Sequence, residues 1–155
     1  MRNRDRAKAE LKAFKATNTV QVLSKYLGAY EMELLESVDD YIADIGMPAT
    51  TMASERFGVL SDYTNFMVAV QSVLCSVEIK QKSIERDKIV VSAEVLHELI
   101  EDGDIKNATE RTSISNKDAK VVDMAERLDE INIVRNYVLN KYNLLVYIVK
   151  IMQNK

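Results

Sequence analysis

His97 is the single histidine of this 155-residue chain, and it follows Glu94 by three residues in AEVLHELIE. Glu-x-x-His puts a carboxylate and an imidazole on one face of a helix, about one turn apart. Ferritin-like di-iron bundles use the pair twice, with further glutamates. Here it occurs once, so a metal site would need a second copy from another chain, and a polar helix face is the preferred reading. No metal ligand and no cofactor is assigned. Cys75, the only cysteine, lies in the apolar run VAVQSVLCSV, where burial as a small hydrophobe is expected and no intrachain disulfide can form. The four glycines stand far apart, so there is no Gly-rich phosphate loop. A Ser-His-Asp or Cys-His arrangement would have to use His97, and no motif supports one. The many carboxylates read as solvated helix faces. No catalytic residue is assigned, and the chain is expected not to be an enzyme.

Two basic features remain. One is an N-terminal arm with Arg2, Arg4, Arg6, Lys8, Lys12 and Lys15. The other is the cluster Lys80, Lys82, Arg86 and Lys88. Cations at such spacing can contact successive phosphates. Single-strand binders usually add aromatic platforms, yet the chain has no Trp and no Tyr or Phe within 80–88. Glu78, Glu85 and Asp87 also intersperse the second cluster, which leaves the arm as the better phosphate candidate. The net charge of -3 does not by itself point to nucleic acid. Its distribution is uneven: residues 1–27 carry a net +5 and residues 28–62 a net -7. The arm has three possible partners: phosphates, its own acidic neighbour, or the acidic segment of a second subunit.

The elements that must position these residues are helical. The chain has the length of one domain, is 47% hydrophobic and 29% charged, and holds only four Gly and one Pro. So few turn formers suit long helices and not strands. Residues 4–16 have helix-forming composition but a thin apolar edge at Ala7, Leu11 and Phe14, expected to order only on contact. Thr17, Asn18 and Thr19 offer cap chemistry before Val20, Leu23, Tyr26 and Leu27, and Gly28 either interrupts or softens the helix. From Ala29 to Ile45, apolar residues in steps of three and four make one amphipathic stripe, stopped by Gly46 and Pro48. The expected organisation is an N-terminal module over 1–46 and a long antiparallel helical hairpin over 47–155. Its first helix is placed near 61–102, ending at Asp102-Gly103-Asp104. Val and Ile at 89–91 would also suit a strand, but helical spacing continues through AEVLHELIE. IKNATERTSISN, 105–116, is expected to be a connector, with Ser115 and Asp118 giving an S-x-x-D cap signal.

The last helix, near 117–153, carries the strongest pattern. Val121, Met124, Leu128, Ile131 and Val138 fall on a three-four repeat continued by Tyr142, Leu145, Val149 and Met152. This is the seam of a coiled coil or bundle. Arg135 stands where another hydrophobe is due, either fixing register or snorkelling to the rim. Leu144, Val146, Tyr147, Ile148 and Ile151 make the final turns apolar on nearly every side. Such a helix is buried all round. A coiled-coil-like homo-oligomer interface is therefore expected at Leu128, Ile131, Arg135, Val138, Tyr142, Leu145, Val149 and Met152.

The order of a long helix with a basic middle, the turn EDGDIK, a Thr/Ser-rich connector and SISNKDAKVVDMAERLDEINIVRNYVLNKYNLLVYIVKIM resembles the UvsY-type recombination mediators of tailed phages. The likeness covers roughly residues 66–152. It implies a small helical protein that assembles into rings, binds single-stranded DNA and loads a RecA-like recombinase. The family's DNA-contacting basic pair maps nearest to Arg86 and Lys88; its Tyr-Tyr-Ser-Gly segment is replaced by Val90, Val91 and HELIEDG. The first expectation is thus a non-enzymatic oligomeric accessory protein that binds single-stranded DNA. The alternative is a structural or adaptor protein that binds only protein, such as a virion component or an inhibitor of a host enzyme. A metal-binding bundle comes third. MRNRDRAKAELKAF lacks the apolar core of a secretory signal, and no stretch is apolar enough to span a membrane. A cytoplasmic place, that of the host if phage-encoded, is expected.

Overall fold

The computed structural model describes residues 19–45, 54–105 and 107–154. The basic arm, with Arg2, Arg4, Arg6, Lys8, Lys12 and Lys15, lies outside the described residues, as does most of the Gly46–Pro48 loop. Among the described residues five helices follow one another: α1 over residues 19–26, α2 Ala29–Ile45, α3 Arg56–Asp102, α4 Ala108–Lys117 and α5 Ala119–Gln153. The chain is all-α, and α3 and α5 pack antiparallel as a hairpin beside the smaller N-terminal helices.

Gly28 breaks the chain between α1 and α2 rather than softening one helix. The Leu27 amide still donates to the Leu23 carbonyl at 2.9 Å, and the Met32 amide to the Gly28 carbonyl at 3.0 Å. The two helix ends therefore meet with their backbone groups paired. In α2 the predicted stripe faces inward through Leu35 and Val38, with Glu33, Glu36, Asp39, Asp40 and Asp44 exposed. α3 begins at Arg56, five residues before the Ser61-Asp62 cap expected from sequence, and runs as helix through 89–91.

The chain forms two compact units. The first joins residues up to Cys75 with Val134–Lys155. Its core takes Leu23 from α1, Leu27 from the bend after it, Val38 from α2, Tyr63 and Val70 from α3, and Leu145 from α5. Tyr41 in α2 donates to Asp62 Oδ2 in α3 at 2.8 Å and meets the Tyr63 ring edge-on at 5.0 Å. Lys141 in α5 pairs with Asp39 in α2. The second unit, Ser76–Ile133, packs Val77 and Val95 of α3 with Val121, Met124 and Ile131 of α5. Gln81 Nε2 donates to Asn132 Oδ1 at 2.5 Å across that pair of helices.

The seam of α5 lies inward within one chain. Ile131, Val138 and Leu145 are fully buried, Val149 and Met152 nearly so, while Leu128, Arg135 and Tyr142 are half-buried. Other helices of the same chain already bury Ile131, Val138, Leu145, Val149 and Met152, so covering these five does not require other copies. Of the extra apolar residues near its end, Ile148 is buried and only Leu144 and Tyr147 stay exposed.

The expected connector is in fact α4. Asn107 caps it by accepting the Thr109 amide at 2.9 Å, and Arg111 reaches back to the Ile105 carbonyl at 3.2 Å. Ser115 is not the cap of the last helix. It sits in the final turn of α4, where its carbonyl accepts the Asp118 amide at 3.1 Å. Asp118 itself caps α5, taking the Lys120 amide at 2.9 Å. Gly103, at φ +68°, ends α3 in the left-handed region that L side chains resist.

Candidate functional site

Helical periodicity divides α3 in the second unit into two sides. Val77, Gln81, Ile84, Lys88, Val91 and Val95 recur every three or four residues and are buried or half-buried. This is the packing side. Opposite it, Ile79, Ile89 and Ile100 are 71%, 70% and 51% exposed, and Val90 is 49% exposed. Lys82, Arg86 and Ala93 share this side and are exposed as well. At 100° per residue these seven positions fall within roughly a 100° sector of the helix. Four large aliphatic side chains thus point to solvent along one face, separated by two cations.

Of the basic cluster Lys80, Lys82, Arg86 and Lys88, two residues share the exposed face. Lys82 and Arg86 are one turn apart on the exposed face. Lys82, with 75% of its side chain exposed, pairs at 3.4 Å with Glu85. Lys80 is half-buried on the flank and Lys88 half-buried on the packing side. Lys88 lies with Glu85, Ile89, Ser92 and Leu128 along an open groove of about 490 Å³ between α3 and α5. Its stem covers apolar surface there, a usual disposition for a long cationic side chain.

The Glu94–His97 pair gathers no further ligands: among the described residues no group of three or more His, Cys, Asp or Glu converges. His97 Nε2 instead lies 3.1 Å from Glu101 Oε1, both side chains about 70% exposed. Cys75, expected to be buried, is exposed, because Val73, Leu74 and Val77 turn the packing side of α3 away from it.

In the first unit a groove of about 390 Å³ is lined by Leu34, Tyr41, Asp62, Asn65, Phe66 and Ala69. Burial first, and then the hydrogen bond and negative charge of Asp62, push the Tyr41 phenol well above its ordinary range. Burial alone raises that of Tyr63. Both phenols therefore keep their protons at neutral pH and work as packing and hydrogen-bonding groups. The Lys141 ammonium, beside Asp39, also stands 5.2 Å from the centre of the Tyr137 ring. These contacts tie helices together.

The exposed aliphatic face of α3 is the feature that sequence reading missed. Its signal was present in the three-four steps from Ile79 through Lys82, Arg86, Ile89, Ala93, His97 and Ile100. The same residues also fit an ordinary core run, and only the packing shows which side turns inward. No helix among the described residues is long and apolar enough to cross a membrane. No family model, no curated protein and no solved structure matches this chain.

Proposed function

We propose that this chain is a non-enzymatic helical adaptor that works by docking a protein helix on the exposed face of α3. The observation that carries this is the row Ile79, Ile89, Val90 and Ile100, each about half exposed or more on one helix face. Scattered surface hydrophobes need no explanation, but a rimmed apolar strip marks an interaction surface. Helix-on-helix recognition reads such anchors at three- and four-residue spacing. Lys82 and Arg86 within the strip select a partner that brings carboxylates to the same place.

The test compares affinity purification of the full chain with that of the Ile89→Asp variant. Protein association, with itself or with another protein, is present for the wild type and lost in the variant. Identical associations for both chains would refute the reading.

One observation favours a second reading. Lys82 and Arg86 stand exposed one turn apart, a spacing suited to a phosphate backbone. With the arm residues Arg2, Arg4, Arg6, Lys8 and Lys12, and the flanking Lys80 and Lys88, they would hold single-stranded DNA. The likeness to UvsY-type mediators would then extend to loading a RecA-like recombinase. Anisotropy of a labelled oligonucleotide at low salt decides. Salt-sensitive binding weakened by Lys82→Gln and Arg86→Gln supports it, and a flat titration excludes it.

A further inference from the structure

Charge on α3 in the second unit is segregated along its length. Residues 80–88 hold Lys80, Lys82, Arg86 and Lys88 against Glu85 and Asp87. Residues 89–102 hold Glu94, Glu98, Glu101 and Asp102 and neither Lys nor Arg. The exposed apolar residues are arranged evenly about the Ile89–Val90 peptide bond. Ile79 lies ten residues before Ile89, and Ile100 lies ten residues after Val90. Arg86 and Ala93 are likewise three residues out on either side.

A face with this symmetry is complementary to its own copy laid antiparallel. Ile79 then lies level with the second copy's Ile100, Arg86 lies level with its Ala93, and Ile89 and Val90 of both copies gather about the two-fold axis. The small Ala93 leaves room for the guanidinium. Residues 80–88 of each copy, with a net charge of +2, then lie along residues 91–99 of the other, with a net charge of -2, and Lys82 lies level with the second copy's His97. A parallel pairing in register would stack Lys82 on Lys82 and four acids on four acids, which repel. The antiparallel arrangement is also the one a two-fold axis across the helix generates, with each contact made twice.

We infer that the exposed face of α3 between Ile79 and Ile100 is the interface of an antiparallel homodimer centred on Ile89 and Val90. The inference rests on reading this face as a protein-docking surface and names its occupant as a second copy of the chain. It differs from the oligomer expected from sequence, which used the α5 seam that is buried within one chain. The contact runs about 32 Å along the helix. That is a small interface, so association is expected in the micromolar range.

The experiment uses the full chain carrying Cys75→Ser, because Cys75 is exposed and would cross-link on its own account. Ile79→Cys and Ile100→Cys are made separately, then oxidised mildly, each alone and as a mixture. The expected result is a disulfide-linked dimer from the mixture and little from either variant alone. Equal cross-linking of the single variants would overturn the antiparallel register. Sedimentation of the wild type at tens of micromolar should show a dimer, and Ile89→Asp should give a monomer of unchanged helix content. Ile89 is mostly exposed, so this substitution leaves the core intact. A wild-type monomer overturns the homodimer. If that monomer still loses another protein partner on Ile89→Asp, the docking face stands without self-association; if no association responds, both readings fall.

Discussion

Leu144 and Leu145 are adjacent, chemically identical and oppositely placed, with 42% and 0% of their surface exposed. Replacing each with Ala therefore separates burial from helix propensity, which hardly differs between Leu and Ala. At Leu145 the substitution removes a fully buried isobutyl group and leaves a cavity, a loss of about 3 kcal/mol. At Leu144 much of the side chain already meets water, and the loss is about 1 kcal/mol or less. The difference of about 2 kcal/mol is roughly thirtyfold in the folding equilibrium. With a denaturant slope of about 2 kcal/mol per molar urea, it separates the two midpoints by about 1 M. Circular dichroism at 222 nm, followed through a urea titration, measures it. Because Leu145 is covered within a single chain, the gap is the same in dilute and concentrated protein. Equal losses from the two variants, or a gap that shrinks on dilution, would refute the intrachain placement of the α5 seam.

Three further outcomes follow from contacts in the two units. Asp39→Ala leaves the Lys141 ammonium, whose side chain is only 14% exposed, without its carboxylate, and costs about 1–2 kcal/mol in urea unfolding. Lys141→Met keeps the stem and removes the charge, so it costs less. Tyr41 and Tyr63 both have folded pKa values raised above the unfolded value near 10. Their contribution is complete below about pH 10 and is lost as pH climbs from there towards the folded values. Urea midpoints should fall across that window, and Tyr41→Phe should flatten the fall. Gly103→Ala forces a Cβ into a backbone at φ +68° and should lower the thermal midpoint by the equivalent of about 1 kcal/mol.

The helical class and the hairpin were legible because they rest on long periodic patterns. The stripe of α2 and the repeat of α5 each span enough turns for their inward sides to be read from spacing alone. What was illegible depended on neighbours. The α5 seam looked too apolar for one chain because its pattern does not reveal that Leu23, Leu35, Tyr63 and Val70 are buried in the same unit as its second half. α4 was read as a connector because ATERTSISNK is rich in Thr, Ser and Asn, which favour caps and turns in isolation. Its real start was signalled by Asn107, and its end by the Asp118 cap of the next helix. The exposed face of α3 was hidden for the opposite reason. Ile79, Ile89, Val90 and Ile100 fit a core pattern, and nothing in their spacing says that Val77, Val91 and Val95 take the inner side. Likewise, closeness in sequence does not say that Lys80 and Lys88 turn to other sides of the helix than Lys82 and Arg86.

α4 contributes a single buried residue, Ser115, to the second unit. Ten residues anchored so lightly are held mainly by the two polar caps at their ends and by the long helices they join. This segment should open and close while the rest of the molecule stays folded. Its amide hydrogens would trade with solvent deuterium well before those of the hairpin, and a protease would make its first cut there. The same looseness makes α4 the natural place to insert a reporter peptide without unseating either long helix.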